Sequence, residues 1–181
     1  MKRRVAFHRC GAGAGAGTAG HDNQTKAHIA RSIASLLGAD YAGELVAAPA
    51  APPPILWVPS DTLLVDEAQR LGVKGPDDIF GGVVPYPHAA TKVITHPLIA
   101  PDAARPAAWS PAFGTAVRDA VLPGYSAFSL PDAWIAGLAL LESGAVRLKQ
   151  ADGVGGGGQS VATTELELNE QLAAMGRDAV E

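Results

Sequence analysis

Gly155 to Gly158 form a run of four glycines, and the residues on either side of it decide what that run can be. Upstream, "VRLK" (Val146 to Lys149) alternates apolar and cationic side chains. Downstream, Val161 begins or lies within a second apolar stretch. Glycine weakens a strand interior because it packs nothing and loses the most backbone freedom, so a strand stops at such a run and a partner strand starts after it. The segment therefore reads as a hairpin. Successive strand side chains point to opposite faces, so Val146 and Leu148 turn to a core while Arg147 and Lys149 turn together the other way. Two parallel cations repel unless an anion lies between or beside them. The backbone N–H groups of "QADGVGGGGQ" can fold closely around a phosphate. The competing reading is a solvated edge strand with a ligand-free turn. A P-loop is excluded by order, since its lysine follows the glycines at a helix start and here Lys149 precedes them on a strand.

The chain has 181 residues, enough for one domain or two small ones and for a real core. Apolar residues make up 48%, but much of that is alanine. The net charge is −4 and the basic residues are scattered, which argues against a nucleic-acid surface and a polybasic membrane patch. With Cys10 as the single cysteine, no intrachain disulfide and no four-cysteine metal site can form. His8 and Arg9 interrupt what would otherwise resemble a signal-peptide start, and no apolar run reaches eighteen residues. The expectation is a cytoplasmic protein with no membrane span.

Arg4 to His8 is expected as a strand, followed by a Gly/Ala loop from Gly11 to Gly20. A helix is expected from about Asp22 to Leu37, with Ile29, Ile33, Leu36 and Leu37 on its apolar side and Gly38 as its stop. "AAPAAPPP" (Ala47 to Pro54) is a proline-rich connector. "ILWVP" reads as a buried strand, Asp61 as the cap of a helix to Leu71 ended by Gly72, and "GGVVP" as a short strand. "HAATKVITHP" is expected to be one short helix, and Pro101 to Pro111 irregular. Ser129 with Asp132 and Thr164 with Glu167 have capping-box spacing. The first opens a helix closed by Gly144, and the second a helix with Leu168, Leu172 and Met175 on one side. Strands alternating with helices to about residue 84 predict a small Rossmann-like parallel α/β unit over residues 1–84. The remainder, 85–181, predicts a connector and an α+β unit.

"GAGTAG" (Gly15 to Gly20) matches the dinucleotide fingerprint G-x-G-x-x-G, with Gly15, Gly17 and Gly20 as the glycines and Asp40 twenty residues on. A repetitive Gly/Ala tract satisfies that pattern by chance. Asp40 also directly follows the helix stop, with no strand expected before it. A flexible loop is the preferred reading and a dinucleotide module the alternative. A non-catalytic interaction module is the third.

The order helix, strand ending in lysine, glycine-rich loop, strand, helix resembles the ATP-grasp superfamily. In that pattern a Lys-Pro is followed by spaced glycines, matched here by Lys149, Gly153, Gly156 and Gly158, with Gln150 in place of the proline. An earlier lysine on a short helix would be Lys92 in "ATKVITHPLI". Together "DDIFGGVVPYPHAATKVITHPLI", "LPGYSAF" and "VRLKQADGVGGGGQSV" resemble an uncharacterised proteobacterial family of ATP-grasp-like proteins, over roughly Tyr41 to Glu181. The resemblance implies a pre-ATP-grasp-like N-terminal unit and then the first nucleotide-binding lobe. It implies a phosphate site made of Lys92, Arg147, Lys149, Gly153, Gly155, Gly156, Gly157, Gly158 and Gln159. The cofactor it implies is ATP with Mg²⁺ in an intact parent, a carboxylate-activating ligase joining an amine or thiol through an acyl phosphate. The second lobe, with its metal ligands, is expected beyond this chain, which alone is expected to be inactive. The expected partners are a nucleotide and a small-molecule substrate, with homodimerisation allowed.

No metal site is expected. His88 and His96, eight residues apart, lack a third converging ligand. His21 and His28 are expected in solvent, Asp77 and Asp78 at a turn, and Trp57, Trp109 and Trp134 in packing roles. Cys10 has Arg9 beside it and no evident His or Asp partner, so a nucleophile is not expected there.

Overall fold

The computed structural model describes residues 3–10, 19–49, 54–151, 153 and 158–178. Most of the expected Gly/Ala loop, including Gly15 and Gly17, lies outside them, as do residues 50–53 of the proline-rich connector and Gly155 to Gly157. The protein is a mixed α/β chain of two compact units, Met1–Ala90 and Thr91–Glu181.

The first unit is built on β1 (Arg4–His8), α1 (Ala19–Leu36), β2 (Asp40–Glu44) and β3 (Ile55–Pro59). The three strands are parallel in the order β2-β1-β3, which makes β1 central. A parallel sheet needs cover on both faces, and Val5, Ala6, Phe7 and His8 are accordingly all buried. On one face Val5, Phe7, Leu56 and Val58 pack with Ala30 and Ala34 of α1. On the other, Ala6, Ile55 and Trp57 pack with Leu63, Ala68 and Leu71. These last come from β4 (Leu63–Leu64), α2 (Val65–Arg70) and the residue after it. β4 pairs in parallel with β5 (Val83–Val84).

Three local expectations are corrected in this unit. Of the four residues expected on the apolar side of α1, Ile33 packs against the core, beside Ala27 and the buried Ala30 and Ala34, whereas Ile29 is 41% exposed, Leu36 86% and Leu37 56%. Alanines let the helix backbone approach the sheet, so the small residues face inward. Asp61 does not cap α2, because Leu63 and Leu64 first pair with β5 and the helix starts at Val65; the Asp61 carboxylate accepts from the Thr62 N–H at 2.7 Å instead. A strand, β2, begins at Asp40 where none was expected. It is an edge strand with little buried surface, so "DYAGE" carries no apolar run. Gly38 and Gly72 end their helices at φ of 60° and 73°, as glycine allows without strain.

"HAATKVITHP" is not one helix. It forms two short 3₁₀ helices, Pro87–Ala90 and Lys92–Thr95, parted at an extended Thr91 whose hydroxyl accepts from the Val93 N–H. The second unit continues with α3 (Ala112–Val117), which was not anticipated, and a 3₁₀ turn at Arg118–Ala120. Then follow α4 (Leu130–Leu141), β6 (Val146–Lys149), β7 (Gln159–Ala162) and α5 (Glu165–Asp178). β6 and β7 form an antiparallel hairpin, Val146 facing Ala162 and Lys149 facing Gln159. Ala162, Leu168 and Leu172 form the core of this unit, with Trp134, Leu138 and Leu148 packed against it. Trp109 meets Phe128 edge-on at 5.1 Å. Ser129 caps α4 by accepting from the Asp132 N–H at 3.2 Å. Asp132 also reaches back to the Ala104 N–H at 2.9 Å, tying the irregular segment before α3 to the helix start.

At Gly137 α4 packs tightly on α5: a methyl placed there would lie 2.6 Å from Cδ2 of the fully buried Leu168. A double-mutant cycle tests this contact. Leu168→Ala should cost about 2–5 kcal/mol. Gly137→Ala should be less favourable in the wild-type background than in Leu168→Ala, where the methyl fills vacated space. The helix preference for Ala over Gly, about 1 kcal/mol, acts in both backgrounds and cancels. Urea unfolding should give a coupling of about 0.5–3 kcal/mol; strictly additive effects would mean that the two positions do not share space.

The Glu167 carboxylate accepts from the Thr163 hydroxyl and the Thr163 N–H, both at 2.7 Å. These bonds favour the ionised form and lower its pKa from the ordinary 4.5. A lowered folded-state pKa contributes stability above the unfolded value that is lost as pH falls through the folded one. The melting temperature of the wild type should therefore exceed that of Glu167→Gln at neutral pH. The difference should shrink progressively below about pH 4.5. A difference that is constant from pH 7 to pH 3 would remove Glu167 as the titrating group.

Candidate functional site

The hairpin carries most of the residues nominated from sequence. Val146 is buried and Leu148 half-buried, while Arg147 and Lys149 are exposed on the opposite face. Arg147 donates to the Gln159 side-chain oxygen across the hairpin at 3.4 Å. Lys149, the last residue of β6, makes no ion pair among the described residues. Just beyond it the neck of the loop is closed by main chain. The Gln150 N–H donates to the Gly158 carbonyl at 3.0 Å, and the Gly153 N–H to the Gln150 carbonyl at 3.2 Å. Gly158 has φ of 64°, and a side chain there would run into Gln150. Both facts select glycine at the return of the loop.

Lys92 is brought to the same loop from 57 residues upstream of Lys149. Its ammonium donates to the Gly153 carbonyl at 2.8 Å, and its N–H to the Ala151 carbonyl at 3.4 Å. It opens the 3₁₀ helix Lys92–Thr95 and is exposed. An ammonium has three donors, so one bond to Gly153 leaves capacity for an anion. The structure thus joins Lys92, Gly153 and the Gln150–Gly158 neck, with Lys149 and Arg147 on the strand that leads in.

Beside the hairpin lies a cleft of about 460 Å³, lined by β6, by Ala136 and Gly137 of α4, by Leu172 of α5, and by Tyr125 and Ala127 to Leu130. Its walls are chiefly apolar, and Arg147 and Lys149 contribute to its lining. Tyr125 and Phe128 were not singled out from sequence. Their phrase, "LPGYSAF", carries only the family resemblance in the sequence, and the fold sets it against β6.

The two histidines near Lys92 have structural partners. His96 Nδ1 lies 2.8 Å from the Thr95 hydroxyl, and its Nε2 lies 3.0 Å from the Leu122 carbonyl oxygen. His88 stacks on Tyr86, with ring centroids 5.6 Å apart and planes 4° apart.

A second polar group gathers in the first unit, at the carboxyl ends of β1 and β3. His8, Cys10 and Glu67 place one ligand-type atom each within 4.8 Å of one another. Cys10 therefore does have polar partners, contrary to the expectation from sequence. Glu67 is 57 positions from Cys10 in the chain, and His8 had been read only as an interruption of an apolar stretch. Burial pushes the Cys10 thiol pKa up, against the lowering effect of its hydrogen bonds with Ser60 and Asp61.

Among the described residues no helix is long and apolar enough to cross a membrane. No curated protein and no solved structure matches the chain. Residues 12–181 match a family described as a protein of unknown function, DUF3182. That match begins after β1, runs from α1 through the rest of the first unit and takes in the whole lysine-bearing hairpin of the second, and the chain belongs to this family.

Proposed function

We propose that the hairpin unit binds the phosphates of a nucleotide, with ATP and Mg²⁺ as the ligand. In this reading Lys149 and Lys92 are the cations, and the loop from Gly153 to Gly158 is the cradle. The observation that carries the reading is the bond from the Lys92 ammonium to the Gly153 carbonyl. It brings a second cation, remote in sequence, to the glycine loop that follows Lys149. The ATP-grasp resemblance assigns these two lysines to one phosphate site, and the apolar cleft beside them offers a surface suited to a purine. The resemblance supplies lysine and glycine positions but none for metal ligands. The proposal is therefore one of phosphate recognition.

Charge-assisted hydrogen bonds contribute about 1.5–3 kcal/mol each, and about 1.4 kcal/mol is tenfold in affinity. Lys149→Ala should weaken Mg·ATP binding by tenfold or more while leaving the melting temperature of the ligand-free chain nearly unchanged, since Lys149 is exposed. Lys92→Ala should weaken it similarly. Calorimetric titration of the wild type and both variants with Mg·ATP decides the matter. No binding by the wild type at millimolar ATP, or equal affinity in all three, would overturn the reading.

A second reading has one observation in its favour. The parallel β1–α1–β2 arrangement ends with Glu44 at the carboxyl end of β2, the position of the ribose-binding acid in a dinucleotide fold. Asp40, the acid counted from sequence, stands at the other end of that strand. Glu44 is engaged with Arg9 at 3.0 Å. NAD titration separates the readings. Binding that weakens in Glu44→Ala and persists in Lys149→Ala would assign the N-terminal unit to a dinucleotide. Absence of NAD binding would eliminate that reading.

A further inference from the structure

We propose that His8, Cys10 and Glu67 form a binding site for a divalent transition metal, with zinc the best match, at the carboxyl edge of the parallel sheet. The first argument is place. From β1 the chain crosses by α1 to β2 on one side, then returns to β3 on the other, so the order β2-β1-β3 reverses direction between β1 and β3. In open parallel sheets, ligands bind outside the carboxyl ends of the strands at such a reversal. His8 is the last residue of β1, and Ser60 directly follows β3. The Cys10 N–H donates to the Ser60 hydroxyl at 2.9 Å, which holds the cysteine over that crevice.

The second argument is the orientation of His8. Its ring is buried, edge-on to Trp57 at a centroid distance of 6.0 Å. Nδ1 lies 2.9 Å from the Leu45 carbonyl oxygen, which can only accept, so Nδ1 carries the proton. A backbone carbonyl on one imidazole nitrogen is the usual means of aiming the other at a metal. Here the aimed atom is Nε2, and it faces the Glu67 carboxylate at 3.0 Å. Both atoms of this contact would otherwise accept, so a proton lies between them. A cation can replace it.

The third argument is the donor set. One imidazole nitrogen, one thiolate and one carboxylate match zinc better than magnesium or calcium, which prefer all-oxygen sites. Thiolate and carboxylate together balance the charge of a divalent ion. The step is balanced as follows. Zn²⁺ binds, the proton shared by His8 and Glu67 leaves, the Cys10 thiol proton leaves, and two protons go to solvent for a neutral site. Three protein ligands leave a fourth tetrahedral position for water or a small anionic ligand, the pattern of reactive rather than purely structural zinc.

Cobalt(II) serves as the spectroscopic probe, in the full chain without a histidine tag. Titration should give one equivalent of tetrahedral cobalt with a thiolate-to-cobalt charge-transfer band in the near ultraviolet, displaced by one equivalent of zinc. Cys10→Ser should abolish that band. Cys10→Ser and Glu67→Gln should each weaken zinc binding by at least the ~10–100-fold that loss of an outer-shell partner costs. Zinc binding in weakly buffered solution should also release protons. Cys10 and Glu67 are only partly buried, so their variants keep the sheet intact, and far-ultraviolet circular dichroism checks this. No cobalt binding by the folded wild type, or a charge-transfer band and zinc affinity unchanged in Cys10→Ser, would overturn the proposal. Loss of metal from Cys10→Ser with unchanged affinity in Glu67→Gln would overturn the assignment of Glu67.

Discussion

The first unit depends on β1 being buried on both faces. Val5 and Phe7 turn to α1, and Ala6 and His8 turn to the α2 side. A strand with no solvent face must pair on both edges and be covered above and below, or its backbone and side chains lose water without compensation. Pairing with β2 on one edge and β3 on the other meets the first demand, and α1 and α2 meet the second. The same burial brings a histidine to the end of the strand in a place where it must be hydrogen-bonded. Both ring nitrogens of His8 are so engaged. The polar cluster at the sheet edge thus follows from the constraint that builds the sheet.

The second unit rests on a different contact. Leu168 of α5 sits against Gly137 of α4 with no room for a side chain on the glycine. That close approach sets the hairpin against the two helices, with Val146 and Leu148 inward and Arg147 and Lys149 outward. The hairpin keeps its cations exposed because the alternation leaves them no other direction. The bond from Lys92 to Gly153 then ties the loop to a segment far back in sequence.

Where sequence reading failed, the misses have physical causes. The apolar stripe of α1 was assigned by side-chain size, but close helix–sheet packing selects the alanines, and Leu36 stays in solvent. β2 was missed because an edge strand buries little and shows no apolar run. The start of α2 was placed too early because Asp61 looks like a cap, whereas Leu63 and Leu64 are taken by a two-residue pairing with β5 that no local rule reveals. "HAATKVITHP" has helical spacing, yet Thr91 takes an extended conformation in its middle and splits it into two 3₁₀ turns.

Sequence alone determined the features governed by local chemistry. These are the strand at Arg4–His8, the buried strand at Ile55–Pro59, the capped starts of α4 and α5, and the hairpin with its alternating cations. Alternation, capping and glycine punctuation act over a few residues, so a short window contains the whole cause. Tertiary structure alone decided which distant residues meet. Lys92 reaches the loop after Lys149, and Glu67 meets His8 and Cys10, because sheet order and helix packing bring together chain segments 57 or more positions apart. Those meetings depend on the burial of a whole sheet or helix face, a sum over many side chains that no motif of a few residues can carry.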